Sequence, residues 1–316
     1  MIEQKRMHFA NFNITFGEKD EPMLQHFFDV VYPAFTSDLI RGNVKALPYF
    51  RLDGVEIKEL ANEYVLVGNC IKVTEYVVRT VIENGELVSS PEDVPTAPYS
   101  RFIIFLRNHR MVLVMNEPSS PDIRSFQATV REILNLYIKS ENKKIDSRNP
   151  VQPKLPHAIV NIVDMLRKED VRELLKGVKT IHELDIKFFA LNNDIDPTPL
   201  SNDMHKIMGI TETRNAEVIL KTPKSKKGVS DLLEKTTALG QATTIMRVTD
   251  VSGKKSTYSA DKFTSNVSIP IQADVVAIHD GIIVEAALQD QIIKGGDSRH
   301  NTLYQWFVDR FRRSKS

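Results

Sequence analysis

Cysteine is almost absent from the sequence, which has one such residue, Cys70, in 316. A single thiol can form neither a disulfide within the chain nor a zinc site of several cysteines, and this favours a reducing compartment. Cys70 follows the apolar run 64–67, which is typical of a strand. We therefore expect a small buried side chain at this position and not a nucleophile.

Long hydrophobic runs are missing as well. The longest, such as residues 102–106, fall far short of the roughly 20 residues needed to cross a bilayer. The first six residues lead into an alternating pattern without the apolar core of a signal peptide. We expect a cytoplasmic protein with no direct membrane insertion, so any role at a membrane would pass through a partner.

Neither sign of charge is in excess. Lysine and arginine number 42 against 41 aspartate and glutamate, for a formal net charge of +1. The chain as a whole therefore has no electrostatic attraction to nucleic acid. Hydrophobic residues at 41% and charged residues at 26% are ordinary for a globular protein. The length fits two domains of about 100–200 residues each.

The sequence lacks the common catalytic motifs. Residues 253–257, Gly-Lys-Lys-Ser-Thr, resemble a phosphate-binding loop, but no glycine lies five residues before Gly253 and no apolar helix follows. No histidine has a second histidine four residues on, and serine nucleophile elbows and dinucleotide-type glycine motifs are missing. We expect no cofactor and no metal, and favour a binding protein over an enzyme.

The first half of the chain has the periodicity of strands flanked by helices. In chain order the patterns predict a strand over 8–16, a helix over 22–35, strands over 49–88, a hairpin over 100–115 and a helix over 123–138. The stretch 49–88 contains an Asn84-Gly85 pair, which is typical of a two-residue hairpin turn. These patterns predict an N-terminal β-meander with packed helices.

Strand and helix patterns alternate in the second half. In chain order they predict helices over 159–166 and 171–175, a strand over 184–191, a helix over 200–208, a strand over 216–220, a helix over 229–239 and a strand over 243–250. Short crossovers between such elements are typical of a split βαβ, ferredoxin-like layer. Residues 301–313 predict a terminal amphipathic helix.

A charged, proline-containing stretch with little apolar periodicity separates the two halves. We therefore predict an N-terminal α+β domain at 1–140, a linker at 141–156 and a C-terminal α+β domain with the terminal helix at 157–316. The predicted fold class is α+β, with a β-meander domain followed by a second, ferredoxin-like domain.

Local clusters of basic residues are the positive signal for function. Lys221, Lys224, Lys226 and Lys227 lie within seven residues, in a loop that leads from a strand to a helix. Such a loop can contact a phosphate backbone, and the helix N-terminus adds N–H donors. Further basic pairs lie at a hairpin tip and in the terminal helix: Lys254 and Lys255, and Arg312 and Arg313. If these surfaces lie together in the fold, they form a patch that can contact several phosphates. If they lie apart, they are a solvated loop and a basic tail.

A metal-dependent nuclease is the enzyme alternative. Asp185 and Lys187, like Glu56 and Lys58, lie two residues apart, which places both side chains on one face of a strand. Such an enzyme needs a second carboxylate for Mg²⁺, expected upstream on an adjoining strand, and neither pair has one suitably placed. This spacing also arises by chance. Asp185 and Lys187 are the candidate catalytic residues of the alternative.

The terminal segment permits a third function. Leu303, Trp306, Phe307 and Phe311 have helical spacing, which is typical of a helix packed on the core but also of one docked on a second protomer. In the second case the chain is a protein-binding subunit of a larger complex, without affinity for nucleic acid.

The order of several short segments resembles a family of bacterial phage-resistance proteins and, more distantly, the RexA phage-exclusion protein. The segments are 7–14 (Met-His-Phe-Ala-Asn-Phe-Asn-Ile), 100–102 (Ser-Arg-Phe), 119–121 before a helix with Phe126, 184–187, 245–250 and 252–257. The resemblance implies a DNA-binding homodimer that senses or restrains invading phage alongside a separate effector protein. It implies no catalytic residues.

The basic clusters and the resemblance together predict a DNA-binding protein of bacterial antiphage defence that contacts mainly backbone phosphates. Because no basic stretch is interleaved with aromatic residues, the sequence carries no signature of a stacking surface for single strands.

Overall fold

The fold is α+β, as the sequence predicts. The structure is a computed structural model that describes residues 2–148, 151–165, 168–190, 198–236, 240, 242–259, 267–272, 280–294 and 301–315. The ends of three predicted elements, at 166, 191 and 237–239, lie outside these residues.

Fourteen strands occur in the described ranges. They are β1 (Ile2–Phe16), β2 (Glu21–Pro22), β3 (Ile40–Asn43), β4 (Ala46–Leu60), β5 (Glu63–Glu83), β6 (Glu86–Thr96), β7 (Tyr99–Phe105), β8 (Arg110–Met115), β9 (Ala158–Asp164), β10 (Val178–Phe189), β11 (Asn215–Lys221), β12 (Ala242–Asp250), β13 (Lys255–Ser259) and β14 (Val267–Gln272).

A continuous helical segment over residues 23–35 comprises a 3₁₀ turn (Met23–His26), a π turn (Phe27–Val31) and α1 (Tyr32–Phe35). The remaining helices are α2 (Ile123–Arg148), α3 (Lys168–Lys176), α4 (Pro199–Ile210), α5 (Lys226–Lys235), α6 (Asp280–Gln289), α7 (Gln291–Lys294) and α8 (Asn301–Lys315). Within the described ranges, none of the helices combines the length and apolarity required to span a membrane.

Ten strands form one large antiparallel sheet. Its main path runs β14, β1, β8, β7, β5, β4, β3 from edge to edge, while β2 and β9 pair with β1, and β6 pairs with β5. The strands from β3 to β8 contain the predicted meander. β1 is fifteen residues long and therefore has room for several partners: residues 2–7 pair with β14, 7–11 with β8 and 10–16 with β9.

The large sheet carries an apolar layer on each face. Phe12 and Ile14 of β1 are buried on the face covered by segment 23–35, α2 and α8. Met7 and Phe9 are buried on the other face, beneath α6 and α7. This division follows from the two-residue period of a strand, which points successive side chains to opposite faces. The large sheet is therefore an interior layer.

The apolar stripe of α8 packs on the chain's own core. Phe307 is fully buried, and its ring centroid lies 5.0 Å from that of Phe27 and 5.3 Å from that of Phe28. The Phe311 ring packs edge-on against Tyr64 at 5.7 Å. Of the predicted stripe, Trp306 alone is largely exposed, at 42%. The stripe thus serves core packing, the first of its two interpretations.

Four strands form a second antiparallel sheet in the order β11, β10, β12, β13. β11 and β12 are both antiparallel to β10 and hence parallel to each other, with α5 connecting them and β10 between them. This arrangement is the predicted split βαβ unit. Helices α3, α4 and α5 cover one face, where Leu184, Ile186 and Phe188 are buried. The opposite face, here called the outer face, is open.

One predicted helix is wrong: residues 158–164 form strand β9, which pairs with β1. Its apolar residues are mostly β-branched, and the free second half of β1 offers a pairing edge, which outweighs the weak helical spacing. The predicted linker also differs from the structure, since residues 141–148 continue helix α2. Strand β14 and helix α8 return to the large sheet, so the two sheets do not divide the chain at residues 141–156.

Polar contacts join the second sheet to the large one. Asn11 and Asn13 of β1 are buried, and their side-chain amides donate to the carbonyls of Gly240 and Ala190, both at 2.9 Å. Gly240 has φ +66°, and a Cβ at this position would lie 2.4 Å from Asn11 Cβ. Arg214 contacts the His157 ring at 3.0 Å. These contacts hold the second sheet at the end of β1.

Cys70 is buried in β5, as its position after an apolar run predicts. Burial raises the pKa of its thiol to about 12, although a hydrogen bond with Thr129 opposes the shift. A thiol with such a pKa stays protonated at neutral pH, so Cys70 is a packing residue and not a nucleophile.

Asp280, at the start of α6, forms an ion pair with the large sheet. Arg101 of β7 donates to both of its carboxylate oxygens at 2.8 Å, and Lys58 donates at the same distance. Burial by itself raises the pKa of the Asp280 carboxyl, but the bonds from Arg101 and Lys58 outweigh it, and the net pKa lies below its usual value.

We expect Asp280→Asn to lower the free energy of unfolding at pH 7 by about 2 kcal/mol, because charged hydrogen bonds are lost. A depressed carboxyl pKa stabilises the folded state above the unfolded pKa of about 3.9 and ceases to do so as the pH falls through the folded value. The difference between the two proteins should therefore shrink below pH 4. Denaturant unfolding from pH 7 to pH 3 measures it, with the exposed Glu285→Gln in the same helix as control. A pH-independent difference would contradict this assignment.

Candidate nucleic-acid interface

The end of the second sheet where β10 begins brings together four segments of the chain. Val178 of β10 is aligned with Asp250 at the end of β12. The Val251 amide donates to Gly177 at 3.0 Å, and the Thr222 amide donates to His182 at 2.8 Å. The end of α3, the loop before α5 and the turn from β12 to β13 therefore all lie beside the start of β10.

Lysines from each of these segments make this end of the sheet basic. We define the basic edge as Lys176, Lys179, Lys221, Lys224, Lys226, Lys227, Lys254 and Lys255, all of which are exposed. Six of these eight lysines are predicted phosphate-binding residues. The structure thus brings together the two lysine clusters that are more than twenty-five residues apart in the sequence.

The start of α5 positions two of these lysines. The Ser225 hydroxyl accepts a hydrogen bond from the Gly228 amide at 3.0 Å and caps the helix. Lys226 and Lys227 therefore lie in the first turn. The Lys226 ammonium group donates to the Val178 carbonyl and so ties α5 to the start of β10.

The turn from β12 to β13 positions Lys254 and Lys255. Oδ1 of Asp250 accepts hydrogen bonds from the Ser252 hydroxyl at 2.6 Å and from the amides of Ser252 and Lys254 at 2.9 Å. These bonds hold the pKa of the Asp250 carboxyl below its usual value, and the bond from the Ser252 hydroxyl has the largest effect. Gly253 has φ +86°, a conformation that glycine adopts without strain. The turn therefore presents Lys254 and Lys255 in a defined orientation.

A groove of about 420 Å³ lies between α3 and α5 and opens beside the basic edge. The basic groove, as we call it, is lined by Arg172, Leu175, Lys176, Lys226, Lys227, Ser230 and Asp231. Four of these seven residues are cations and one is an anion. The Leu175 side chain and the aliphatic stems of the long basic residues make its floor apolar while the charged groups stay at the rim.

Several of the cations already have carboxylate partners. Glu183 pairs with Lys221 and Arg247, Glu173 with Lys176, and Glu234 with Arg172. Five others make no ion pair within the described part of the chain: Lys179, Lys224, Lys227, Lys254 and Lys255. Lys254 lies close enough to Asp250 to interact with its charge, and the other four ammonium groups carry the unbalanced positive charge of the basic edge.

Arg312 and Arg313 lie elsewhere, on α8 against the large sheet. Arg312 donates to the Tyr64 hydroxyl at 3.1 Å, and its guanidinium lies 5.8 Å from the centre of that ring. The second sheet joins the large one through Ala190, just past the end of β10 opposite the basic edge. The twelve residues of β10 separate these ends by about 40 Å. The three predicted basic surfaces do not form one patch, since only the two lysine clusters meet.

Asp185 and Lys187 lie on the outer face of the second sheet. Asp185 is flanked by Ile219 and Ile245 on the neighbouring strands, and Lys187 is aligned with Glu217 of β11. Burial, and then the hydrogen bond and charge of Glu217, raise the pKa of Asp185. The second carboxylate that the sequence lacks upstream is therefore present downstream, on an adjoining strand.

The described residues contain no cluster of three or more histidine, cysteine, aspartate or glutamate side chains arranged to hold a metal ion. Asp185 and Glu217 supply two carboxylates, which is fewer than an all-protein magnesium site uses, although Mg²⁺ also binds through one or two carboxylates with water and substrate phosphates.

Sequence patterns do not mark some residues of the site. Arg172, Lys176 and Lys179 belong to the same basic surface, but they lie in a stretch of mixed charge that has the composition of any solvated helix. Glu217 becomes a neighbour of Lys187 only through the pairing of β10 with β11. No local signal marks these residues, because their roles depend on which strands and helices pack together.

Comparison with protein-family models, with curated proteins and with solved structures found no match. The fold and the site define an α+β protein with a basic surface at one end, and the function must be inferred from that surface.

Proposed function

We propose that this protein binds DNA through backbone phosphates at the basic edge. The main support is that lysines from four separate segments lie together at one end of the second sheet. Five of these lysines make no ion pair in the described residues. Unbalanced ammonium groups held close together repel one another and attract a polyanion. A phosphate backbone supplies a row of negative charges that matches such a surface.

The composition of the edge favours binding that does not depend on base sequence. Lysine contacts phosphate as a point charge, whereas base recognition relies more on the bidentate groups of arginine, asparagine and glutamine in a groove. Phosphate contacts position a protein on DNA without reading it. The proposed activity is therefore weakly specific or non-specific DNA binding.

The proposed setting is bacterial antiphage defence in the cytoplasm. It is supported by the resemblance of the sequence to phage-resistance proteins, which includes segment 252–257 at the basic edge. In this setting the protein acts as a homodimer that detects or restrains phage DNA and works with a separate effector protein.

A magnesium-dependent nuclease is the second candidate, favoured by the placement of Glu217 beside Asp185 and Lys187 on the outer face. Two carboxylates and a lysine on adjoining strands are the groups that such chemistry uses to hold a metal ion and a phosphate. This candidate predicts cleavage that requires Mg²⁺ and disappears in Asp185→Asn.

The test is a salt titration of binding to labelled duplex DNA, with and without Mg²⁺. If about four phosphates are neutralised, the logarithm of the binding constant should fall with the logarithm of salt concentration with a slope of about −4. Binding that is absent even at low salt, or insensitive to salt, would contradict the proposal. Cleavage in Mg²⁺ that Asp185→Asn abolishes would establish the nuclease, and intact DNA would exclude it under these conditions.

A further inference from the structure

Strands β5 and β6 extend beyond the large sheet as a two-stranded arm. Beyond Val73, β5 pairs only with β6 in the described residues, and we define the arm as residues 74–96. The strands are joined at Asn84 and Gly85, which have φ of 53° and 86°. Positive φ at both central residues is the geometry of the hairpin turn that the sequence predicts. The ten residues from 74 to 83 span about 33 Å.

The arm exposes large apolar side chains. Ile82 and Leu87 form a cross-strand pair near its tip and are each 74% exposed, and Tyr76, paired with Val94, is 67% exposed. Tyr76 and Ile82 are six residues apart on one strand, so the two pairs share a face. On that face the pairs of Val78 with Glu92 and of Thr80 with Ser89 lie between them, so the exposed apolar surface at the tip is the Ile82–Leu87 pair. Two-stranded hairpins are marginally stable alone in water, and an exposed apolar pair at the tip of one is suited to contact with another molecule.

The charge of the arm restricts what it can contact. Its only ionisable side chains other than Tyr76 are five carboxylates and one arginine: Glu75, Glu83, Glu86, Glu92, Asp93 and Arg79. Two such arms would repel each other, which disfavours packing of arm against arm. The arm instead requires a surface with an apolar floor and a positive rim.

The basic groove is such a surface on the same chain. Leu175 and the stems of the surrounding basic residues provide the apolar floor, and Arg172, Lys176, Lys226 and Lys227 provide the positive rim. Arg172 and Lys176 also pair with Glu234 and Glu173, so Lys226 and Lys227 contribute most of its net charge. The apolar tip of the arm would cover the floor while its carboxylates meet the ammonium groups. Complementary charge across an interface selects the partner and its orientation.

The arm and the groove of one chain lie in opposite directions. Val65 of β5 lies in the row of paired residues that contains Asn11 of β1, and Asn69 lies in the row that contains Met7. The arm therefore extends from the large sheet on the side where β1 begins. The second sheet is joined at Asn11 and Asn13, toward the other end of β1. The arm cannot fill the groove of its own chain.

We propose that the arm of one copy docks in the basic groove of a second copy, and that the reciprocal contact closes a symmetric dimer. In such a dimer both arms are docked and both grooves are filled, and the two contacts are identical by symmetry. This inference rests on the homodimer of the proposed function and deepens it, because it assigns the interface between the two copies; it does not require DNA.

The decisive experiment exchanges charges between the two surfaces and follows association by analytical ultracentrifugation without nucleic acid. The arm variant is Glu83→Lys with Glu86→Lys, and the groove variant is Lys176→Glu with Lys227→Glu, which spares the bond from Lys226 to Val178. Each variant alone should dimerise at least about tenfold more weakly, because like charges meet. An equimolar mixture should regain wild-type affinity, because both of its contacts again pair opposite charges.

A second pair of variants tests the apolar part of the contact. Ile82→Ser with Leu87→Ser should weaken the dimer, whereas Ile210→Ser should not, since Ile210 is 83% exposed on α4 but lies outside both surfaces. Circular dichroism checks that every variant is folded.

Three outcomes overturn the inference: a wild-type protein that is monomeric at every concentration, a dimer that none of the variants weakens, or weakened variants that the mixture does not rescue. None of these bears on DNA binding, which is measured separately.

Discussion

Changing Lys224, Lys226 and Lys227 together to glutamate is expected to weaken DNA binding at least about 100-fold, because three phosphate contacts become repulsive. Lys224 and Lys227 are exposed and make no ion pair in the described residues, so their ammonium groups are available to phosphates. The slope of the salt titration should also become shallower by about 3, one counterion for each lost contact. The measurement is the same salt titration on labelled duplex DNA.

The matched control carries the same change in net charge at distant positions. Lys19 and Lys45 are exposed in turns between strands of the large sheet, and Lys143 is exposed on α2. Their change to glutamate should weaken binding only slightly, through the altered net charge. Equal losses in the two triple variants would show that binding follows total charge and not the basic edge. A separate Lys226→Gln variant distinguishes lost binding from lost structure, because Lys226 also donates to the Val178 carbonyl.

Phe307→Ala is expected to lower the free energy of unfolding by about 4 kcal/mol, as for other large buried aromatic residues. Phe307 is fully buried, and its ring contacts Phe27 and Phe28, so truncation leaves a cavity between α8 and segment 23–35. The adjacent Trp306 is 42% exposed. Its change to alanine should cost less than about 1 kcal/mol, as is usual for exposed positions.

Denaturant unfolding followed by far-ultraviolet circular dichroism measures both variants on the same scale. For Phe307→Ala, the fluorescence of Trp306, the only tryptophan, reports on α8 directly. A large loss for Phe307 with a small one for Trp306 would establish α8 as part of the large-sheet core. Similar small losses in both would show that the helix contributes little to stability, and would reopen its docking on another protein.

Elements with a strong local pattern were predicted well from the sequence. The alternation over 8–16 forms the centre of β1, and the Asn84-Gly85 pair forms the turn between β5 and β6. Helix α2 begins at Ile123, as predicted, because Asp122 accepts a hydrogen bond from the Ser125 amide at 2.7 Å. Each signal depends on residues a few positions apart, so the chain carries it without tertiary contacts.

Segments with a weak local pattern were predicted less well. Residues 158–164 are apolar on both sides and resemble a short helix, but they become β9 because β1 offers a free pairing edge. α2 continues through 139–148, where no apolar stripe indicates a helix. Pairs such as Glu141 and Lys144, three residues apart, support it there instead. The return of β14 and α8 to the large sheet depends on contacts more than 150 residues distant in the sequence.

The sequence by itself determined the α+β class, the lysine clusters and the hairpin turn at Asn84 and Gly85, because composition and short-range spacing specify these features. The tertiary structure alone decided that the lysines at 221–227 and 254–255 meet at one end of the second sheet, while Arg312 lies against the large sheet. It also placed Glu217 beside Asp185. The opposite directions of the arm and the groove likewise depend on strand pairing. The physical reason is that strand pairing and helix packing join residues far apart in the chain, and the free energy of those contacts is shared among many side chains rather than carried by any short motif.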